Sequence, residues 1–301
     1  KIRANHSLST NSFNFEFEGN YPQAFGQRSG LNAYLELDGP DYVINYFGQS
    51  NESLYSGVIS EYRVGLNYYK AGLSFTHRLS NHSSLTAGPI GEFASVEFTG
   101  INNENSLDEQ NEYLFTGGLA TFGLDFTNTN GPPVRGLKWT NEISFRTGGR
   151  DNVNYTFGKY ASNAAFYITP NTPLKITFAL RLGGELTIGD FPFYHSAFIG
   201  GNSNVRGYRA YRFAGRHSVY QNLEARVVFT SIRSFAISGT FGPYGFIDNG
   251  RVWADNEASG TWHAGYGGGI WIRFYNLVTL STGVGFSKEG PYFRINGGFF
   301  F

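Results

Sequence analysis

Apolar and polar residues alternate with period two along most of this chain. Phe13, Phe15 and Phe17 fall on one face, and Asn14, Glu16 and Glu18 on the other. Leu31, Ala33, Leu35 and Leu37 oppose Asn32, Tyr34, Glu36 and Asp38. Leu137, Trp139, Ile143 and Phe145 alternate with Lys138, Thr140, Glu142, Ser144 and Arg146. Further on, Leu174, Ile176, Phe178, Leu180 and Leu182 oppose Lys175, Thr177, Arg181 and Glu185. Successive side chains of a strand point to opposite faces, and the helical 3.6 spacing is sustained nowhere, so the chain reads as all-β.

Turn residues divide it into about sixteen strands. The first group is Ile2–Leu8, Ser12–Ala24, Leu31–Asp38, Asp41–Gly48, Glu61–Tyr69, Ala71–Leu79 and Ser84–Phe98. The second is Glu112–Asn128, Pro133–Arg146, Val153–Thr169, Leu174–Ile188 and Val219–Thr230. Phe235–Val252, Trp262–Phe274, Leu277–Ser287 and Pro291–Phe301 complete the set. Connections after even strands are short, as at Pro170–Pro173 and Tyr275–Asn276, whereas Thr99–Asn111, Gly189–Ser218 and Ala254–Thr261 follow odd strands and are long. A soluble sandwich has no reason to sort its loops by end, but outer-membrane barrels do. The expectation is a single domain over residues 1–301: a transmembrane antiparallel β-barrel of about 16 strands in the bacterial outer membrane, both termini periplasmic.

Composition fits that picture. Mean hydropathy is −0.28, as expected where only alternate residues meet lipid, and no apolar run approaches the roughly 18 residues of a spanning helix. Of 301 residues 15% are charged and 18% aromatic, and 23 basic residues balance 23 acidic ones, which argues against nucleic acid as a partner. Without cysteine there is no disulfide framework and no thiolate metal site. Without methionine the chain is expected to begin at a processing boundary, with a periplasmic or enzymatic N-terminal part outside it.

Enzyme signals fail. His6, His77, His82, His195, His217 and His263 form no His-x-x-x-His pair, and no metal or other cofactor is expected. Gly201-Asn202-Ser203-Asn204-Val205 has Val where a nucleophile elbow needs its second Gly. Gly265-Tyr266-Gly267-Gly268-Gly269 lies in an alternating strand and lacks the dinucleotide fingerprint. The acidic stretch Glu104, Asp108, Glu109 and Glu112 has no calcium-loop spacing. No catalytic residue is assigned.

The longest stretch without alternation, Gly189 to Ser218, carries Gly200-Gly201-Asn202-Ser203-Asn204-Val205-Arg206-Gly207-Tyr208-Arg209. On the next strand Val219, Leu223, Val227 and Phe229 take the lipid phase, and Tyr220, Asn222, Glu224 and Arg226 the lumen phase. On the strand after that Phe235, Ile237, Phe241 and Ile247 face out, and Ser238, Thr240, Tyr244 and Asp248 face in. Glu224 and Asp248 therefore point into the lumen from neighbouring strands. The planar fork of Arg206, on a loop folded back inside, would bind both carboxylates. Spacing alone leaves open that these charges stand unpaired along a wet lumen.

Val205-Arg206-Gly207-Tyr208, Asn222-Leu223-Glu224 and Phe246-Ile247-Asp248-Asn249-Gly250-Arg251-Val252-Trp253 together resemble the BamA/TamA superfamily of outer-membrane assembly and translocation barrels. The resemblance implies a lumen loop carrying Val205, Arg206, Gly207 and Tyr208, with Glu224 and Asp248 as acidic partners and Phe246 and Gly250 in support. It also implies a seam between the first and last strands, here marked by Ile2, Leu8, Phe293 and Phe301, through which polypeptides insert or pass. Partners implied are outer-membrane lipids and lipopolysaccharide, unfolded outer-membrane polypeptides, and periplasmic accessory proteins. Phe191-Pro192-Phe193-Tyr194 with Arg206-Gly207-Tyr208-Arg209 looks most like the sub-group fused to a calcineurin-like phosphoesterase. A membrane anchor for a fused hydrolase (phosphoesterase or patatin-like lipase) is thus the alternative to an insertase, and a passive porin the third reading.

Overall fold

The computed structural model describes residues 2–7, 12–39, 42–98, 111–128, 131–150, 153–201, 203–233, 238–275 and 277–301, with backbone alone for 2–13 and 231–233. In chain order the strands begin with β1 (Ile2–Ser7), β2 (Ser12–Tyr21), β3 (Ser29–Asp38), β4 (Val43–Asn45), β5 (Arg63–Arg78) and β6 (Ser83–Phe98). Next come β7 (Asn111–Asp125), β8 (Gly136–Arg150), β9 (Val153–Ile168), β10 (Ile176–Asp190), β11 (Ala197–Ile199) and β12 (Phe213–Gly215). The last six are β13 (His217–Val227), β14 (Thr230–Arg233), β15 (Ser238–Trp253), β16 (His263–Phe274), β17 (Val278–Ser287) and β18 (Gly290–Asn296). All but β11 and β12, which pair with each other inside the long loop, form one 16-stranded sheet. Its neighbours are antiparallel and follow the chain from β1 to β18, with β4 and β14 extending it alongside β5 and β15.

The number of strands matches expectation, but its division does not. Glu61–Tyr69 and Ala71–Leu79 are one strand, β5, because Lys70 is no turn residue. It lies in the lumen phase with its ammonium 5.5 Å from the Tyr34 ring. Asp41–Gly48 contributes only Val43–Asn45. Val219–Thr230 breaks after Val227: between the pairs Arg226↔Tyr244 and Thr230↔Phe241 the first strand uses one more residue than its partner. That is a bulge, and a Cβ on Gly242 there would lie 1.8 Å from the Val227 carbonyl oxygen.

Burial is inverted relative to a soluble domain. Ile143, Phe145, Leu182, Val219, Leu223 and Ile247 are exposed, while Arg146, Arg181, Glu224, Arg226 and Asp248 are buried. An apolar outside and a polar inside suit a wall with lipid on one face, and the phases read for 137–146, 174–185 and 219–227 are the observed ones, whereas Phe235 and Ile237 lie outside the described residues. Connections also sort by end. Segments 39–62, 191–216 and 254–262 lie at one end, and 79–82, 169–175 and 275–277 at the other, together with the ten-residue 126–135. Most of the Thr99–Asn111 connection lies outside the described residues, as do Glu104, Asp108 and Glu109 of the acidic stretch.

Candidate functional site

Segment 191–216 leaves the wall after β10, crosses the lumen and returns to β13. One attachment is apolar. Phe193, Tyr194 and Tyr211 pack on Ile44, Val64, Leu66, Ala94 and Val96, all from the β4–β6 wall. Beside them Nε2 of His195 lies 3.2 Å from Glu92, whose carboxylate also holds Arg146 at 2.8 Å. Burial pushes the His195 imidazole down to about 4, and the hydrogen bond and charge of Glu92 only partly offset that. The free imidazole gains a proton below about pH 6.5, whereas the buried one stays neutral until about 4. Acid therefore favours release of the loop, progressively as pH falls through that window. Protease cleavage within 191–216 should rise between pH 6.5 and 4.5, and His195→Phe should flatten the rise.

The second attachment lies across the lumen. Arg206 donates from its backbone N–H and from Nε to one Asp248 oxygen at 3.0 and 2.7 Å, and from Nη2 to the other at 2.8 Å. Its remaining edge, through Nη1, pairs with Glu224. Glu224 is held from its other side by Arg226 at 2.7 Å. The Arg206 carbon Cζ sits 3.7 Å from the Phe246 ring and 4.2 Å from the Phe300 ring, so the guanidinium is bonded at both edges and stacked on both faces. Desolvation lowers its pKa, but Asp248 and Glu224 outweigh that and hold it above the ordinary arginine value. A lysine has neither the fork nor the flat faces this slot uses.

Backbone fit explains the glycines. Gly207 has φ +95°, a region that favours glycine, and its carbonyl accepts from Ser287. Arg206 lies so close to β16 that a Cβ on Gly265 would stand 1.7 Å from its carbonyl oxygen. Gly250 makes room for Val205, whose Cγ2 would be 2.9 Å from a Cβ there. Val205 and Tyr208 are buried in a cluster with Ile199, Phe213 and Val252.

The positions named from sequence thus assemble: Val205, Arg206, Gly207, Tyr208, Glu224, Phe246, Asp248 and Gly250 form one site. Three partners were not anticipated. Arg181 bonds Asn222 and the Ser203 carbonyl at 2.8 and 2.9 Å; Asn222 in turn donates to the Asn204 carbonyl. Both had been placed in the lumen phase, but phase carries no partner. The third is the chain end.

Among the seam residues, Ile2 pairs with Phe17 in the β1–β2 ladder, and Leu8 lies outside the described residues. Phe293 is exposed on the lipid face of β18. Phe301 is a correction, since it does not lie on the last strand. β18 stops at Asn296, Gly298 adopts φ +118°, and the following rings turn into the lumen. Arg226 donates to the Phe301 carbonyl at 2.7 Å and stacks 4.0 Å from Phe299, while Arg181 stacks 4.6 Å from Phe300. Desolvated guanidinium–ring contacts are worth about 2 kcal/mol each, enough to draw Phe299 and Phe301 away from a lipid-facing continuation.

A second assembly, at the long-loop end, had no sequence signal. Asn51 is fully buried. It donates to Ser259 and to the Thr261 carbonyl at 2.8 and 2.9 Å and accepts from the Val252 N–H at 3.0 Å. Its neighbour Ser50 and its own backbone N–H bond Glu257. Ser53 receives Arg212 from the lumen loop. This clasp joins the β4–β5 connection to the β15–β16 connection. Asn51→Ala leaves a buried N–H and carbonyl unpartnered, at about 1–3 kcal/mol each. Hydrogen exchange at 254–262 should accelerate markedly; unchanged exchange would remove the clasp.

Among the described residues no cluster of three or more His, Cys, Asp or Glu could hold a metal ion, and no helix is long and apolar enough to cross a membrane, which does not bear on strands. No curated protein matches the chain. Among solved structures it resembles BamA from Haemophilus ducreyi lacking POTRA domains 1–3, with a TM-score of 0.67, 15% identity, and coverage of 95% of this chain and 60% of that one. At that identity the likeness is one of fold, and this chain spans 60% of that relative's length. The Omp85 superfamily domain matches residues 1–297, and with nearly the whole chain covered, this barrel belongs to the Omp85 superfamily of outer-membrane insertion and translocation proteins.

Proposed function

We propose that this barrel inserts or translocates polypeptides through a lateral seam between β1 and β18. The observation that carries the reading is the order of the sheet, which sets β1 and β18 at its two ends. Each strand along the sheet is bonded to the next, yet among the described residues β1 and β18 share no pair. An edge opened in lipid is costly and would template an incoming strand. Substrates are then unfolded outer-membrane polypeptides, delivered by periplasmic accessory proteins to the short-loop end, where β1 starts and β18 ends. The clasp ties the β4–β5 connection to the β15–β16 connection at the long-loop end, so separation starts at the opposite end. A passive porin is disfavoured because segment 191–216 and Phe299–Phe301 occupy the lumen.

The chain has no cysteine, so a pair introduced at Ile2 and Phe293 is uniquely reactive towards a bifunctional maleimide. Liposomes carrying the full-length protein should speed insertion of an unfolded outer-membrane polypeptide at least tenfold, and cross-linking should abolish the gain. Undiminished insertion by fully cross-linked protein would exclude the seam. No acceleration by the free protein would exclude the insertase and leave the hydrolase anchor.

A further inference from the structure

One row on the lipid-facing wall near the long-loop end departs from the apolar pattern. Register sets Ser162 of β9 opposite Gly184 of β10, Gly184 opposite Val219 of β13, and Val219 opposite Arg251 of β15. Directly opposed residues share a face, and Val219 with its lipid-phase neighbours Leu182, Leu186 and Trp253 is exposed. Ser162, Ala164 and Gly184 project little side chain, so the wall sinks there into an apolar groove of about 560 Å³, rimmed by Tyr160, Leu182, Leu186, Val219 and Trp253. The depression is built in: a Cβ on Gly184 would lie 2.5 Å from the Ser218 carbonyl oxygen.

Arg251 stands at the end of this row. Its guanidinium lies 4.3 Å from the Trp253 ring and 5.9 Å from the Trp262 ring, and Nη2 donates to the Ser259 carbonyl. Nε is buried without a hydrogen-bond partner, and among the described residues no carboxylate pairs with it. Nδ1 of His217, on the groove wall, is likewise buried without a partner. Tryptophan marks the membrane interface, which puts Arg251 at headgroup depth. A lipid-facing arginine without a counter-anion is costly, and lipid phosphates are the anions present there. The nearby Arg216 is already neutralised by Asp255 at 2.6 Å.

We propose that this groove binds one phosphorylated lipid of the surrounding leaflet. An acyl chain fills the depression over Ser162, Ala164 and Gly184, and the phosphate pairs with the Arg251 guanidinium. The site is separate from the lumen clamp and from the seam, and does not depend on the insertase reading.

The test is native mass spectrometry of the intact protein in detergent with dioleoyl phosphatidic acid or dioleoylglycerol, which differ only in the phosphate. The expected result is one phosphatidic acid per barrel, at least tenfold more occupied than dioleoylglycerol. Arg251→Gln should remove that preference. Ala164→Phe, which fills the groove from a lipid-facing position and leaves Arg251 in place, should lower phosphatidic acid occupancy about tenfold, and it keeps the test valid if Arg251→Gln fails to fold. Equal occupancy by the two lipids, or phosphatidic acid binding unchanged in the groove-filled variant, would overturn the proposal.

Discussion

Arg206→Ala should lower the unfolding temperature of the detergent-solubilised barrel and open segment 191–216 to protease. The wild-type side chain satisfies both Asp248 oxygens and one Glu224 oxygen, with Asp248 fully buried and Glu224 nearly so. Removing one partner of a buried ion pair costs about 3–5 kcal/mol, because a charge remains uncompensated. The loss falls mainly on Asp248, since Glu224 keeps Arg226. Neutralising Asp248 in the same chain, as Arg206→Ala with Asp248→Asn, should therefore recover part of the loss, and the two changes should be strongly non-additive. Arg206→Lys should behave more like Ala than like Arg, because an ammonium cannot bond both edges or lie flat between Phe246 and Phe300. Protease resistance of 191–216 unchanged in Arg206→Ala would refute the clamp.

Gly265→Ala should be about as damaging as removing the arginine, by a steric route. One methyl group would stand 1.7 Å from the Arg206 carbonyl oxygen, a backbone atom with no rotamer to escape into. Either the motif lifts from β16 or the strand shifts, and both break the short bonds from Arg206 to Asp248. Gly91 is the control: it also lies within a strand, but a Cβ there meets nothing within 4 Å, so Gly91→Ala should leave the unfolding temperature nearly unchanged. Circular dichroism melts in detergent compare the three proteins directly. Equal melting of Gly265→Ala and wild type would mean that the loop is not seated against β16. Arg206→Ala combined with Gly265→Ala should be little worse than either alone, since both release the same contact.

Much of this site was legible before any coordinates. Strand phase is local, because successive side chains of a strand alternate sides. Placing Glu224 and Asp248 in the lumen needed only the apolar residues on either side of them. Pairing those carboxylates with Arg206 needed only the planar fork and a loop long enough to return. What phase leaves open is partnership across the lumen. Arg181 and Arg226 were placed on the inner face, but the rings that cover them come from the far end of the chain.

Local pattern also misled in particular places. Phe299 and Phe301 share the parity of Phe293 and Ile295, so alternation extends the last strand to its final residue. In the fold the Gly297–Gly298 pair redirects the chain, and the Arg226 guanidinium outcompetes the lipid phase for both rings. Lys70 falls between two strands in the sequence reading, whereas it lies within β5, where a wet lumen accepts its charge. Asn51 left no trace, since its partners lie about two hundred residues away and its neighbours have no period.

The sequence by itself determined the class of the protein, the two faces of its wall and the chemistry of the Arg206 loop, because each follows from short-range periodicity or from the geometry of one side chain. Tertiary structure alone decided which strands carry the count, where the chain end turns, and how the clasp ties segment 46–62 to segment 254–262. Those depend on register and on contacts between segments remote in sequence, whose energies no local pattern encodes.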